Sequence, residues 1–187
     1  AADGLQDRER RNVEAAVGLR QQGIFVLDLS SVVGWAYGHV GGILPAFGSW
    51  HLANSSLLGP KFVSFENELI AALERLRPKL VVMEAPLPAS SQSTTNVARL
   101  LFGLAAFVEA ECWRARVQVR EQAASTARKA VIGQGRWSKG TAKDHVLAYC
   151  KLRGWPVPDH HAGDALVLLE YSLMIEARDA KLSTRRG

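Results

Sequence analysis

The sequence contains little cysteine, few aromatic residues and no long run of apolar residues. Only two of its 187 residues are cysteines, and Cys112 and Cys150 lie far apart with no CxxC pair and no Cys/His cluster. This pattern excludes a disulfide scaffold and argues against a zinc finger. No apolar run reaches the ~18 residues of a membrane helix, and residues 1–22 are too polar for a secretory signal. We therefore expect no membrane partner and a reducing cytoplasmic setting.

The composition is that of an ordinary globular domain with a moderate excess of positive charge. Hydrophobic residues make up 48% of the chain, and the mean hydropathy is −0.02. Lys and Arg number 23 against 18 Asp and Glu, which gives a net charge of +5 and a pI near 9.5. Such a balance suits a polyanionic partner but does not require one.

Apolar periodicity divides the chain into an antiparallel half and an alternating half. Three short apolar or alternating segments come first, joined by glycines typical of hairpin connections. The predicted strands are 24–30, 31–38, 46–53, 79–86 and 116–121, and the predicted helices are 62–77, 96–113, 122–131, 141–153 and about 160–180. This order predicts an α/β fold: a five-stranded mixed sheet in which three antiparallel strands precede two parallel strands, with helices on both faces. We expect one domain over residues 23–180, a loose or weakly helical extension over 1–22, and a frayed tail over 181–187.

Acidic residues occur where the predicted fold is otherwise apolar. Asp28 lies between two leucines of the first strand, and Glu84 ends the fourth strand. His161 and Asp164 are three residues apart in the last helix, which places them on one helix face. A carboxylate in a buried strand is costly unless it is paired, and oxygen ligands with one imidazole suit Mg²⁺ or Mn²⁺. The pattern predicts a two-metal site of the kind that hydrolyses phosphodiesters.

Each of these residues also has a simpler structural interpretation. Asp28 could serve a turn or a cap, although its position within a strand weakens that role. Glu84 could face water at a strand end, and Asp164 could lie on a helix surface, although its neighbours are apolar. His161 has rivals in His160 and Asp159, of which Asp159 is the better candidate for a helix N-cap. The shared site is favoured because all four residues fall on suitable elements at once.

A basic segment lies ahead of the last predicted helix. Gly133 and Gly135 within it allow a backbone to approach a phosphate closely. We expect a phosphate-binding surface, which positions nucleic acid without reading its sequence. The candidate DNA-binding residues are Arg128, Lys129, Arg136, Lys139 and Lys143.

Several motifs resemble the RuvC family of Holliday-junction resolvases, within the RNase H-like superfamily. They are the Asp of LDLSSVVGWA, the Glu of VVMEAP and the HxxD of HHAGDAL, and RKAVIGQGRWSKGTAKDHV is similar to the family's lysine–GxG–lysine stretch. The matches run from about residue 24 to residue 176. APLPAS stands where the family often has an aromatic residue. The chain resembles phage or plasmid versions as well as cellular ones, so the expected cytoplasm is the host's if a phage encodes it.

The resemblance implies an RNase H-like fold and a set of residue roles. Asp28, Glu84, His161 and Asp164 would be catalytic metal ligands for two Mg²⁺ ions per active site, with Mn²⁺ able to substitute. Lys129 and Lys143 match the family's two lysines near the scissile phosphate, and Lys143 would also be catalytic. Because the segment after the GxG is longer here, Lys139 competes with Lys143 for that role. The implied products carry a 5′-phosphate and a 3′-hydroxyl.

The predicted helix 96–113 is apolar nearly all round between Leu100 and Val108. Such a helix lies deep in the core or contacts a second chain. The resemblance implies a homodimer, because a four-way junction needs two symmetric cuts. We therefore predict a C2 dimer that uses this helix.

The sequence thus predicts a metal-dependent endonuclease that resolves four-way DNA junctions by paired symmetric nicks. The missing aromatic residue leaves open a broader branched-DNA or RNA-processing nuclease of the same superfamily. A non-catalytic junction-binding module is a third possibility, although the complete acidic set favours an enzyme. A sugar-kinase-like ATPase is disfavoured, since it would need a second glycine-rich phosphate loop and a much longer chain.

Overall fold

The structure is a computed structural model that describes residues 23–42, 44–86, 94–135, 137–138 and 141–183. The predicted extension over 1–22 and the last four residues lie outside this part of the chain. The strands are β1 Ile24–Asp28, β2 Val32–Gly38, β3 Ala46–His51, β4 Leu80–Glu84 and β5 Gln118–Gln122. The helices are α1 Leu58–Leu76, α2 Thr95–Ala115, α3 Ala124–Ile132, α4 Ala142–Leu152 and α5 His160–Ser183. No described helix is both long enough and apolar enough to span a bilayer.

The strands form one mixed sheet in the order β3-β2-β1-β4-β5. The first three strands pair antiparallel, whereas β1–β4 and β4–β5 pair parallel. The predicted arrangement, three antiparallel strands followed by two parallel ones, is therefore confirmed. Because β1 and β4 are parallel neighbours, their carboxyl ends meet at one edge of the sheet.

Alternation along the central strands gives the sheet two separate cores. Phe25 and Leu27 of β1 pack into the layer that α1 and α2 cover. Ile24 and Val26 point the other way, into the layer of α3, α4 and α5. Successive side chains of a strand face opposite sides, so Asp28 follows Ile24 and Val26 onto the α5 side. The helices on both faces were predicted from the sequence.

Helix α5 is fixed at its start by a cap and by a glycine. The Asp159 carboxylate accepts hydrogen bonds from the Ala162 backbone N–H at 3.0 Å and from the Ser49 hydroxyl at 2.8 Å. This confirms Asp159 as the N-cap. Gly34, which pairs with Asp28 in the sheet, lies under the helix, and a Cβ there would stand 1.9 Å from the His161 carbonyl oxygen. The glycine therefore lets α5 descend onto the sheet directly beside Asp28.

Several element boundaries differ from those predicted, and two of the differences have a clear local reason. Helix α1 begins at Leu58 rather than Phe62, because Pro60 is tolerated in a first helical turn, where its missing N–H has no partner to lose. Strand β5 begins at Gln118, because Arg116 ends α2 in the left-handed conformation with φ 58°. Helix α5 continues to Ser183, past the predicted end near Ala180.

Candidate active site

Asp28 and Glu84 lie side by side at the carboxyl ends of β1 and β4. The strand register pairs Leu27 with Met83, so Asp28 and Glu84 are the next residues of two adjacent parallel strands. Their side chains hydrogen-bond to each other. Burial, together with the hydrogen bond to Asp28, raises the pKa of Glu84 to about 9. Burial also raises the pKa of Asp28 to about 6, although the bond from Glu84 opposes that rise. The pair therefore shares one proton, held mainly by Glu84, because two adjacent buried carboxylates resist double ionisation.

Asp164 faces the same edge from the second turn of α5 and is bound by an arginine of α3. Arg128 donates from Nε at 3.0 Å and from Nη2 at 2.7 Å, both to Oδ1 of Asp164. Both side chains are largely buried. The residue predicted to bind DNA thus holds one of the predicted metal ligands.

His161 lies between Asp28 and the turn that follows β1. Its Nδ1 is 3.5 Å from Oδ2 of Asp28 and 3.1 Å from the hydroxyl of Ser30. Burial lowers the pKa of His161, and the positive charge of Lys143 lowers it further, although nearby carboxylates oppose the change. The imidazole is therefore neutral at physiological pH, the form that binds metal ions.

One open cleft of about 250 Å³ contains all four predicted metal ligands. Lys143 and the rival His160 also line it, as does Leu101 of α2. The full lining is Asp28, Leu29, Ser30, Glu84, Ala85, Pro86, Leu101, Lys143, His160, His161 and Asp164. The fold therefore brings the predicted site residues Asp28, Glu84, His161, Asp164 and Lys143 to one cleft.

The donors of this cleft suit a divalent cation but are engaged with one another. Within the described residues, no three His, Cys, Asp or Glu side chains already converge closely enough to hold a metal ion. Arg128 occupies Asp164, and a shared proton joins Asp28 to Glu84. Three carboxyl groups facing one arginine leave an excess of acidic oxygen that burial penalises. A hard cation such as Mg²⁺ would replace that proton and that arginine, so the donor set fits such an ion.

The remaining basic candidates separate into three groups. Lys143 lines the cleft and Arg128 binds Asp164 at its edge, whereas Lys129 is exposed on α3 and does not line it. Arg136 and Lys139 lie outside the described residues. Adjacent helical residues point about 100° apart, so α3 can direct only one of Arg128 and Lys129 towards the cleft.

Both glycines of the GxG have a structural reason within the chain itself. Gly133 ends α3 with φ 89° and donates its N–H to the Lys129 carbonyl. A Cβ at Gly135 would lie 2.5 Å from the Ser125 carbonyl oxygen. The backbone at Gly135 therefore closely approaches α3 of the same chain, where the sequence led us to expect an approach to a phosphate.

Sequence reasoning missed Ser30 and the pairing of Arg128 with Asp164. Ser30 stood within the quoted LDLSS motif, but a serine after a strand is a common turn residue. The ion pair joins helices 36 positions apart in sequence, which no local pattern reveals.

Comparison with solved structures identifies the fold. RuvC of Thermus thermophilus in complex with a Holliday junction substrate superposes with a TM-score of 0.64 at 14% identity, covering 81% of this chain and 92% of that one. A second Thermus thermophilus RuvC structure gives 0.60 at 16%, covering 83% and 96%. The chain has the RNase H-like fold of RuvC. Ydc2, the yeast mitochondrial Holliday junction resolvase, gives 0.57 at 7%, covering 90% and 84%. The sequence matches no family model and no curated protein.

These comparisons confirm the predicted resemblance to RuvC at the level of the fold. The similarity extends over most of this chain and most of each neighbour. At such low identities, the activity of this chain has to be argued from its own cleft.

Proposed function

We propose that this protein is a structure-selective endonuclease that resolves four-way DNA junctions by paired symmetric nicks. The observation that carries the proposal is the cleft in which Asp28, Glu84, His161 and Asp164 lie together at the sheet edge of a RuvC fold. Carboxyl groups whose pKa values are raised by mutual proximity and burial are typical of functional sites. The neighbour solved with a Holliday junction, and the resolvase Ydc2, support this class of substrate.

The same four residues would hold two Mg²⁺ ions, with Mn²⁺ able to substitute. When bound, such ions activate the attacking water and stabilise the leaving 3′ oxygen of a phosphodiester, which gives a 5′-phosphate and a 3′-hydroxyl. Lys143 lines the cleft and would contact the phosphate being cut. Arg128, once released from Asp164, would hold a neighbouring phosphate of the junction.

Two symmetric nicks require two active sites, and we propose that α2 forms the contact of a C2 homodimer. Leu100, Leu104 and Val108 of α2 are buried in the domain, whereas Phe102 remains 46% exposed. Leu101, the neighbour of Phe102, lines the cleft, so the proposed contact adjoins the active site. Phe102→Glu should therefore give a monomer in sedimentation analysis. Leu152→Glu, at an exposed leucine of α4 on the opposite face, should leave the dimer intact.

The activity is tested on an end-labelled four-way junction, a linear duplex and a splayed fork in Mg²⁺. Wild type should make paired, ligatable nicks across the junction alone, and Asp28→Asn should bind the junction without cutting it. Asp179→Asn, at an exposed acid of the same α5, is the matched control and should cut like wild type.

Two other results would replace this proposal. Equal cutting of all three substrates would indicate a general branched-DNA nuclease. Tight junction binding without cutting, in both Mg²⁺ and Mn²⁺, would leave a binding module.

A further inference from the structure

The hydroxyl of Ser30 lies between a carbonyl oxygen, which can only accept a hydrogen bond, and an imidazole nitrogen, which can donate or accept one. Its Oγ is 2.5 Å from the Val32 carbonyl oxygen and 3.1 Å from Nδ1 of His161. A carbonyl oxygen can only accept a hydrogen bond, so the single hydroxyl proton is committed to Val32. The hydroxyl oxygen can then only accept from His161, which requires that Nδ1 carries a hydrogen.

The position of Asp28 also indicates that Nδ1 of His161 carries the hydrogen. Oδ2 of Asp28 lies 3.5 Å from the same Nδ1. A carboxylate oxygen is also an acceptor only. Two acceptors thus face Nδ1, so the neutral imidazole carries its hydrogen there and keeps a lone pair on Nε2.

We infer that Ser30 is a positioning residue that fixes His161 in the Nδ1-protonated tautomer, so that Nε2 is the nitrogen offered to the cleft. This inference deepens the proposed function, because it concerns how one expected metal ligand is prepared. Asp28 cannot perform this task throughout, since its oxygens are expected to bind the cation. The Ser30 hydroxyl, anchored on the backbone at Val32, stays available as an acceptor in either state. Outer-shell partners of this kind set the tautomer and basicity of a ligating histidine.

The chain offers a matched control in the adjacent Ser31, which is exposed and outside the cleft. Ser30→Ala removes the acceptor, Ser30→Thr retains it, and Ser31→Ala changes neither. The conservative threonine variant also separates loss of the hydroxyl from a general disturbance of the turn.

The test is ¹⁵N NMR of the histidine side chains in the metal-free protein at pH 8, with His161 assigned by its absence in His161→Gln. Wild type, Ser30→Thr and Ser31→Ala should show a protonated Nδ1 and an unprotonated Nε2 at His161. Ser30→Ala should show a mixture of both tautomers. A protonated Nε2 in wild type, or an unchanged tautomer in Ser30→Ala, would overturn the inference.

A second measurement, Mn²⁺ affinity by calorimetry, separates this inference from the proposed function. Ser30→Ala should bind Mn²⁺ about tenfold more weakly, whereas Ser30→Thr and Ser31→Ala should stay within about twofold of wild type. If wild type binds no Mn²⁺ but shows the expected tautomer, the metal site is wrong and the role of Ser30 stands. If Ser30→Ala shifts the tautomer but not the affinity, His161 is not a ligand, and the tautomer assignment again stands.

Discussion

Helix α5 carries two carboxylates, Asp164 and Glu170, that are each bound by an arginine from outside the helix but lie in different surroundings. Asp164, near its start, accepts two hydrogen bonds from Arg128. Glu170, two turns further on, lies 3.1 Å from Arg153 and accepts a 2.7 Å hydrogen bond from the Tyr149 hydroxyl.

The two sites differ in how acceptors and donors are balanced. Around Glu170, one carboxylate meets one arginine and one hydroxyl, and Arg153 is further held over the Trp155 ring. Around Asp164, the single Arg128 faces two more carboxyl groups, those of Asp28 and Glu84. Burial and mutual proximity raise the pKa values of both. A buried carboxylate that is matched by its hydrogen-bond donors is typical of a structural role. Buried carboxyl groups that outnumber the nearby positive charges are typical of a functional site, such as a cation site.

The largest expected effect is that of Asp28→Asn on cleavage. Removing a carboxylate from the cleft should reduce junction cutting by about 10³-fold or more. The same change should leave the melting temperature of the metal-free protein unchanged or raised, since burial disfavours the charge at this position. Cleavage assays and thermal melts in EDTA test the two parts. A large loss of stability would show instead that Asp28 is a structural residue.

The pH dependence of stability should reveal the shared proton. Asp28 and Glu84 have pKa values of about 6 and about 9 in the folded protein, above their ordinary values of 3.8 and 4.5. The folded state therefore holds protons more tightly, and the stability that they provide is complete below about pH 4 and is lost as the pH rises to about 9.

Glu84→Gln isolates this effect. Between about pH 6 and 9, the unfolding free energy of wild type should fall by up to about 1.4 kcal/mol per pH unit more than that of Glu84→Gln. The reason is that only wild type releases this proton when it unfolds. Urea melts in EDTA at several pH values measure the difference. Parallel pH profiles would mean that Glu84 is already ionised in the folded protein.

These expectations show how much of the site was accessible from sequence. Asp28 and Glu84 could be predicted because an acidic residue in an apolar strand is visible in the local sequence, and a buried carboxylate is costly in any fold unless it is paired. The HxxD spacing of His161 and Asp164 was equally local. The strand order followed from the switch between hairpin and helical connections.

Other features depended on how distant elements come together. The choice of Arg128 over Lys129 is a matter of the rotation of α3 about its axis, which the sequence of a short helix does not determine. The contact between Gly34 and α5 joins β2 to a helix more than a hundred residues later, and the glycine has no visible reason before both are placed.

Arg128→Gln, set against Arg153→Gln, compares the two arginines that bind carboxylates of α5 from outside the helix. Removing the guanidinium from Asp164 should strengthen Mn²⁺ binding by about tenfold, because a cation that competes for the same carboxylate is lost. It should also weaken binding to the junction, where that charge would contact phosphate. Arg153→Gln, the matched change at Glu170, should alter neither affinity. Calorimetry with Mn²⁺ alone decides the first point, and weaker Mn²⁺ binding in Arg128→Gln would show that the arginine supports the metal site.

The smallest expected effect is that of Glu170→Gln. The amide oxygen can still accept from Tyr149, so only the ion pair with Arg153 is lost, and that arginine is 47% exposed. A half-exposed pair of this kind contributes less than about 1 kcal/mol to unfolding free energy, and urea melts should show no larger change. Junction cutting and Mn²⁺ affinity should stay within about twofold of wild type. If Glu170→Gln impaired cleavage as strongly as Asp28→Asn, balance of donors and acceptors could not distinguish a structural carboxylate from a functional one in this helix.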